Sequence, residues 1–320
     1  MSTWAGISTA LSSLRTQRIA IDVAGQNIAN VNTPGYARQR VDMTAGTGVD
    51  VSAISRLHNG ILGDRSRTEN AQLQDLVVAS TTLDQIEDVF PEPTTHGLQA
   101  KLDALWSGFA DIARNPTNSA ARVQVLSQAN AVTDWLNNAA IELGEIKTNH
   151  TASLNDLVTT VNGYAKELSE LNVAISQSVE KTQAANALVD RRGHVADQLA
   201  QLVGGSYLTN DVNQLSVTLG GGTLVGPATY ATLQVASAGG TTSLQWVSDS
   251  STATVTSGAA KSYLTGINTT VDSWTTTLDG VASALTTQVN AIQTTGFDRD
   301  GNAGNSLFSG TTASTIAVAL

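Results

Sequence analysis

The chain opens on a narrow apolar stripe. Trp4, Ile7, Leu11, Leu14, Ile21 and Ile28 fall on three- and four-residue steps, with Arg18 and Gly25 at the remaining seam positions, and this spacing predicts a helix with one apolar face. Asn30 to Tyr36 ends it, because Pro34 cannot continue a helix and restricts Thr33, while Gly35 supplies turn freedom. Arg38 to Leu57 reads as extended, with Val49, Val51 and Ile54 close to the turn glycines Gly46 and Gly48. A second helix is predicted from Gly60 to Val89, with Leu76, Ala79, Leu83, Ile86 and Phe90 in step, stopping at Pro91-Glu92-Pro93. A third, Gly97 to Arg114, ends before Pro116.

The longest periodic stretch runs from Ser119 to Val179. Leu136, Ala139, Leu143, Ile146, His150, Ser153, Leu157, Val161, Tyr164, Leu168, Leu171 and Ile175 keep the three-four spacing throughout. An unbroken helix of that length would be about 90 Å long at 1.5 Å per residue, far more than a compact globule needs. Leu188 to Leu202 adds a short helix closed by Gly204-Gly205. The chain then turns to Gly, Ser, Thr and Val, with alternation at Leu215, Val217 and Leu219 and at Ala231, Leu233 and Val235, so Tyr207 to Thr256 reads as short antiparallel strands. Helical spacing returns from Ser262 through Leu264, Ile267, Val271, Trp274, Leu278, Val281, Leu285 and Ile292, followed by a polar loop, Thr294 to Ser306, and a final strand, Ile316 to Leu320.

Each helix carries only a narrow stripe and needs a partner to cover it, so early and late segments are expected to join. The fold class predicted is mainly α: an elongated helical bundle with long coiled-coil-like helices and a small inserted antiparallel β region. Residues 1–58 form the first domain, 59–203 the long bundle, 204–261 the β region, and 262–320 a returning helix, polar loop and final strand.

Composition narrows the functional classes. Charged residues are 14% of the chain, against roughly 25% in an average soluble protein. Few charges are therefore left to repel a neighbouring subunit. The formal net charge is −10 and Lys and Arg form no run, which argues against nucleic acid and anionic membranes as partners. Cysteine is absent, so stability does not depend on disulfides or thiolate metal sites. Met1 to Leu14 has neither a cationic start nor a continuous apolar run, so a protein working outside the cell would leave by a route that cleaves no such peptide.

Candidate chemistry is sparse. His58, His96, His150 and His194 sit in separate segments, with no His-Glu-x-x-His and no Gly-x-Ser-x-Gly; His150 lies on the long seam and reads as a core histidine. Asp298, Asp300 and Asn302 begin like a calcium loop but Ala303 and Ser309 stand where glycine and glutamate are needed, leaving an Asx-type turn. Gly220-Gly221-Gly222 lacks the Lys-Ser/Thr of a phosphate loop and reads as a hairpin turn. Arg191-Arg192 reads as a solvated helix face. No cofactor, metal or catalytic residue is predicted, and the chain reads as non-enzymatic.

Leu14 to Tyr36, LRTQRIAIDVAGQNIANVNTPGY, closely resembles the N-terminal signature of flagellar rod, hook and hook-associated axial proteins. Within that superfamily, Gly46 to Val51, Ile54-Ser55-Arg56, Ile86 to Phe90 and Ala113 to Pro116 resemble the hook-associated protein 1 family, and Asn186 to Arg192, Val217 to Val225 and Asn290 to Phe308 follow the same order. The resemblance implies a structural subunit packed helically between hook and filament, with residues 1–58 in an inner domain. It implies hook protein, hook-associated protein 3 and copies of the chain itself as partners, and passage through the flagellar type III export apparatus to the outside of the cell. The family's C-terminal helix, which covers the N-terminal one and engages an export chaperone, has no counterpart before Leu320; the stripe is expected to be uncovered and a chaperone is not predicted.

The assembly residues expected on this reading are Ile7, Leu11, Leu14, Ile21 and Ile28 on the stripe and Asn27, Asn30, Asn32, Pro34, Gly35 and Tyr36 at the turn. The rivals are a rod or hook subunit, which the long helical centre argues against, another secreted filament or tail protein, which the Asn-Thr-Pro-Gly-Tyr turn argues against, and a cell-wall hydrolase carried on an axial helix.

Overall fold

The computed structural model describes residues 3–46, 48–297 and 301–319. The elements are helix α1 (Thr3–Ala29), strands β1 (Gln39–Ala45) and β2 (Val49–Arg56), helices α2 (Gly60–Val89), α3 (Leu98–Arg114), α4 (Ser119–Gln177) and α5 (Gln183–Val203), strands β3 (Ser206–Thr209), β4 (Leu215–Leu219), β5 (Gly222–Val225), β6 (Leu233–Ala238) and β7 (Thr241–Trp246), helices α6 (Ala259–Thr265) and α7 (Val271–Gln293) joined by a π-helical turn (Gly266–Thr270), and strands β8 (Phe308–Ser309) and β9 (Ala317–Val318). The fold is mainly α with small antiparallel sheets, as the periodicity predicts.

Local chemistry fixes the ends of these helices. Asn118 accepts from the Ala120 and Ala121 amides at the start of α4, at 3.0 and 3.3 Å. The Thr182 hydroxyl accepts from the Ala185 amide at 3.2 Å and starts α5 five residues before the apolar spacing announces it. Glu92 reaches across Gly97 to accept from the Gln99 amide at 3.0 Å in the first turn of α3; a side chain at position 97 would collide with that carboxylate.

The chain divides into two compact units. The first holds residues 1–76, 155–237 and 243–262, the second 77–154, 238–242 and 263–320. In the second, α3, the C-terminal part of α2, the N-terminal part of α4 and α7 surround one apolar core that includes Leu105, Leu136, Leu143, Leu278, Phe308 and Ile316. In the first, β1 and β2 form a hairpin beside α1, and β3, β4 and β5 form an antiparallel meander. Its core includes Leu168, Val195, Leu199, Val217 and Leu224.

α4 keeps its seam with a one-residue offset at some positions. Buried positions follow three-four spacing from Val125 to His150, and Leu157, Val161, Leu168 and Ile175 are buried beyond it as the sequence pattern expects, but Leu154 and Ala165 are buried where that pattern expects Ser153 and Tyr164. Consecutive four-residue steps advance about 40° beyond a full turn, so the buried face rotates along the helix. The shift begins at Leu154, where the helix passes from one unit into the other.

Helix asparagines recur as clips for extended backbone. Asn27 pairs with both the N–H and the C=O of Gln39, Asn162 with both groups of Leu233, Asn172 with both of Leu215, and Asn268 with both of Thr242, all at 2.7–2.9 Å. Asn290 accepts from Leu307 and Phe308 and donates to the Phe308 carbonyl. A carboxamide offers one donor and one acceptor side by side, the same face a neighbouring strand would offer. The Gly220-Gly221 turn between β4 and β5 has φ of +54° and +91°, the hairpin geometry glycine is expected to supply.

Candidate functional site

The predicted stripe on α1 is solvent-exposed. Ile7, Leu11, Leu14, Ile21 and Ile28 all face outward, Ile28 with 75% of its surface accessible, and Trp4 extends the row at 79%. What holds the helix down is its opposite side. Thr16 and Val23 are buried, and the Ser12 and Thr16 hydroxyls donate to the Val49 carbonyl of β2 at 3.0 and 2.6 Å. Apart from Val23 this attachment is polar and gives no hydrophobic periodicity, so the apolar pattern points to the outward face.

The turn residues fall into two groups. Asn27 clips Gln39 and also accepts from the Tyr36 hydroxyl at 2.8 Å, so helix, turn and β1 share one side chain. Asn30 donates to the Gln26 carbonyl at 3.1 Å and accepts from the Thr33 hydroxyl at 3.1 Å, which shapes the reversal. Gly35 has φ of +80°, and a Cβ there would come within 2.6 Å of the His194 Cβ on α5. Glycine is thus required twice over, by conformation and by close approach. Asn32 and Pro34 are exposed.

Behind the turn lies a charge network that sequence reasoning missed. Asp190 of α5 accepts from the Arg56 Nε at 2.7 Å and from the Ala37 amide at 3.3 Å, while its second oxygen, Oδ2, is buried without a hydrogen-bond partner. Burial pushes its carboxyl up, against the opposing pull of Arg56, and together with the Asp190 charge burial also raises the Tyr36 phenol. Asn186, one turn earlier, donates to the Ile54 carbonyl at 2.7 Å and to Gln39 at 3.3 Å. Spacing alone does not flag these residues, because their partners are about 130 to 150 positions away in the chain.

Arg192 corrects the expectation of a solvated Arg191-Arg192 face. Arg191 is exposed and pairs with Glu167 at 2.7 Å, but Arg192 is only 4% exposed. It donates to Asn172 at 3.2 Å and to the side chain of Asn213 at 2.8 Å, and also to the Asn213 carbonyl. The 100° advance per residue of a helix places adjacent arginines on different faces, and the apolar positions around them do not say which one is covered.

His150 lies in the core, as its place on the long seam predicts. Its Nε2 is 2.9 Å from the Thr82 hydroxyl and its ring is edge-on to Tyr263, and burial pulls its pKa down. Asp298 and Asp300 lie outside the described residues. Among the described residues, no group of three or more His, Asp or Glu side chains could hold a metal ion, and no helix is long and apolar enough to cross a membrane.

Comparison with known proteins gives this arrangement a family. The model of the flagellar hook-associated protein FlgK helical domain matches residues 83–308, and that of the flagella basal body rod protein matches residues 7–36. Flagellar hook-associated protein 1 of Bacillus subtilis is 29% identical over 220 residues, covering 63% of this chain and 43% of the relative. That of Salmonella typhimurium is 24% identical over 326 residues, covering 95% of this chain and 59% of the relative. The solved structure of the flagellar hook junction protein FlgK from Burkholderia pseudomallei superimposes with a TM-score of 0.68 at 25% identity, over 77% of this chain and 46% of that one. The chain therefore spans about half the length of the relatives it matches. With the helical-domain model covering well over half of the sequence and the axial signature preceding it, the chain belongs to the flagellar hook-associated protein FlgK family.

Proposed function

We propose that this chain is a non-enzymatic structural subunit of the bacterial flagellum, standing at the junction between hook and filament outside the cell. In this reading it reaches that place through the flagellar type III export apparatus. It meets hook protein on one side, hook-associated protein 3 on the other, and copies of itself around the axis, with residues 1–58 as the inner part.

The observation that carries the reading is the outward row of Trp4, Ile7, Leu11, Leu14, Ile21 and Ile28, an apolar face with its helix anchored from behind by polar contacts. Covering each such side chain is worth roughly 1.5–3 kcal/mol, enough in sum to offset the ordering cost of association. The turn residues Asn27, Asn30, Pro34, Gly35 and Tyr36 set the angle at which that face is presented, and Asn32 is free to meet a neighbour.

A deletion strain complemented with the wild-type chain or with Leu11→Asp/Leu14→Asp tests this. The deletion should swim poorly and lack attached filaments. The wild-type chain should restore them, and the double variant should be exported, fold and fail. Full filaments and normal swimming in the deletion strain would overturn the junction role.

A further inference from the structure

An arginine-lined cavity of about 690 Å³ opens in the first unit, beside the turn and behind α5. Arg38, Arg56, Arg67 and Arg192 all line it, in a chain whose net charge is −10. Two of the four have carboxylate partners. Arg56 pairs with Asp190, and Arg67 pairs with Asp197 at 2.7 Å and with Asp64 at 2.8 Å while lying 5.4 Å above the Tyr207 ring.

The other two do not. Among the described residues Arg38 makes no ion pair, and Arg192 is held only by the neutral groups of Asn172 and Asn213. Arg192 is a buried cation; burial first, and then the like charges of Arg56 and Arg67, pull its pKa down to about 10. The carboxylates that share the lining, Asp64 and Asp197, are both paired with Arg67. A buried charge without a counter-charge is costly, and folded chains normally supply the partner themselves. Here the partner is missing from one wall of an open cavity. The wall also carries Gly60 and Gly193, where a Cβ would meet nothing within 4 Å, so the space is not filled from within.

We propose that this cavity is an oxyanion-binding site, built for a phosphate- or carboxylate-type group that faces Arg38 and Arg192 and completes the charge balance of the arginine cluster. Guanidinium groups suit this chemistry because each presents a planar fork of donors to two oxygens at once. The oxyanion comes from one of two sources, a free anion or an acidic side chain of a second copy of the chain.

The test is thermal unfolding and titration calorimetry of the full chain with inorganic phosphate, and with acetate, against chloride at matched ionic strength. Saturable stabilisation by phosphate or acetate, absent with chloride, is the expected result. Arg38→Gln carries the comparison, because Arg38 is exposed and holds its place through its backbone carbonyl, which accepts from the Leu57 amide at 2.8 Å and is untouched by the substitution; it should weaken the anion about tenfold, the worth of one charge-assisted contact. Arg192→Gln should abolish binding, with circular dichroism reporting whether the fold survives. Sedimentation separates the sources. If a second copy supplies the carboxylate, self-association in chloride is dissociated by phosphate and lost in Arg38→Gln; if the anion is free, mass does not change with phosphate. Stabilisation equal in phosphate, acetate and chloride, or anion affinity unchanged in Arg38→Gln, overturns the proposal.

Discussion

Single side chains do an unusual share of the joining in this protein. The asparagine clips attach helices to extended backbone at points where an apolar contact would fix neither register nor direction. Asn172 is fully buried and serves Leu215, Gly226 and Arg192 together, so Asn172→Ala strands a backbone pair and a buried cation. It should cost roughly 3 kcal/mol, toward the top of the range for buried polar groups, and urea unfolding would measure it. Asn162 is itself only half-buried, so Asn162→Ala, which frees only the Leu233 pair, should cost about 1 kcal/mol. The opposite sign is expected at Gly144 and Gly163. Both are exposed in the interior of α4 with nothing within 4 Å of an added Cβ, so alanine at either should stabilise by about 0.5–1 kcal/mol.

Among the elements, the π-helical turn between α6 and α7 is fitted to His150. A Cβ at Gly266 would stand 3.0 Å from the imidazole Cδ2, and Thr82 and Tyr263 occupy two further sides of the ring. Burial holds the imidazole below its ordinary 6.5, so as pH falls under about 6.5 the unfolded chain takes up a proton that the folded chain refuses. The stability is therefore present above that value and lost progressively beneath it. Asp190 acts with the other sign: its carboxyl is raised above the usual 3.8, so the folded chain holds that proton more readily and the strain is relieved as pH falls. Melting curves from about pH 8 to about pH 5 should decline below 6.5 in the wild type and flatten in His150→Gln; a decline unchanged by that substitution would assign the effect elsewhere. The Arg56–Asp190 pair ties β2 to α5, and Arg56→Met should cost on the order of 3 kcal/mol by leaving a buried carboxylate alone.

At the scale of the whole molecule, two cores share α2 and α4 while α1 stands on a polar footing. The amides of α1 should exchange with solvent much faster than those of the N-terminal half of α4, whose buried face sits in the second core. Strong protection across α1 in a clean monomer would contradict this. Protection that appears only with rising concentration is the signature of the exposed stripe meeting another copy.

Period and punctuation were enough to locate most elements, because a stripe of Leu, Ile and Val on three-four steps is a statement about one helix alone. α2 runs between the residues predicted, Gly60 and Val89, and α3 begins one residue later than expected. The exposed stripe was legible for the same reason, being a surplus of apolar residues with nothing local to cover them. What is buried by polar contacts was not legible. Thr16, Asn172, Asp190 and Arg192 look in sequence like ordinary surface residues, and only partners far along the chain turn them into clips, a hub and an uncompensated charge. Hydrophobic burial is written into the spacing of a segment, whereas a hydrogen bond or ion pair exists only once folding has chosen both of its ends.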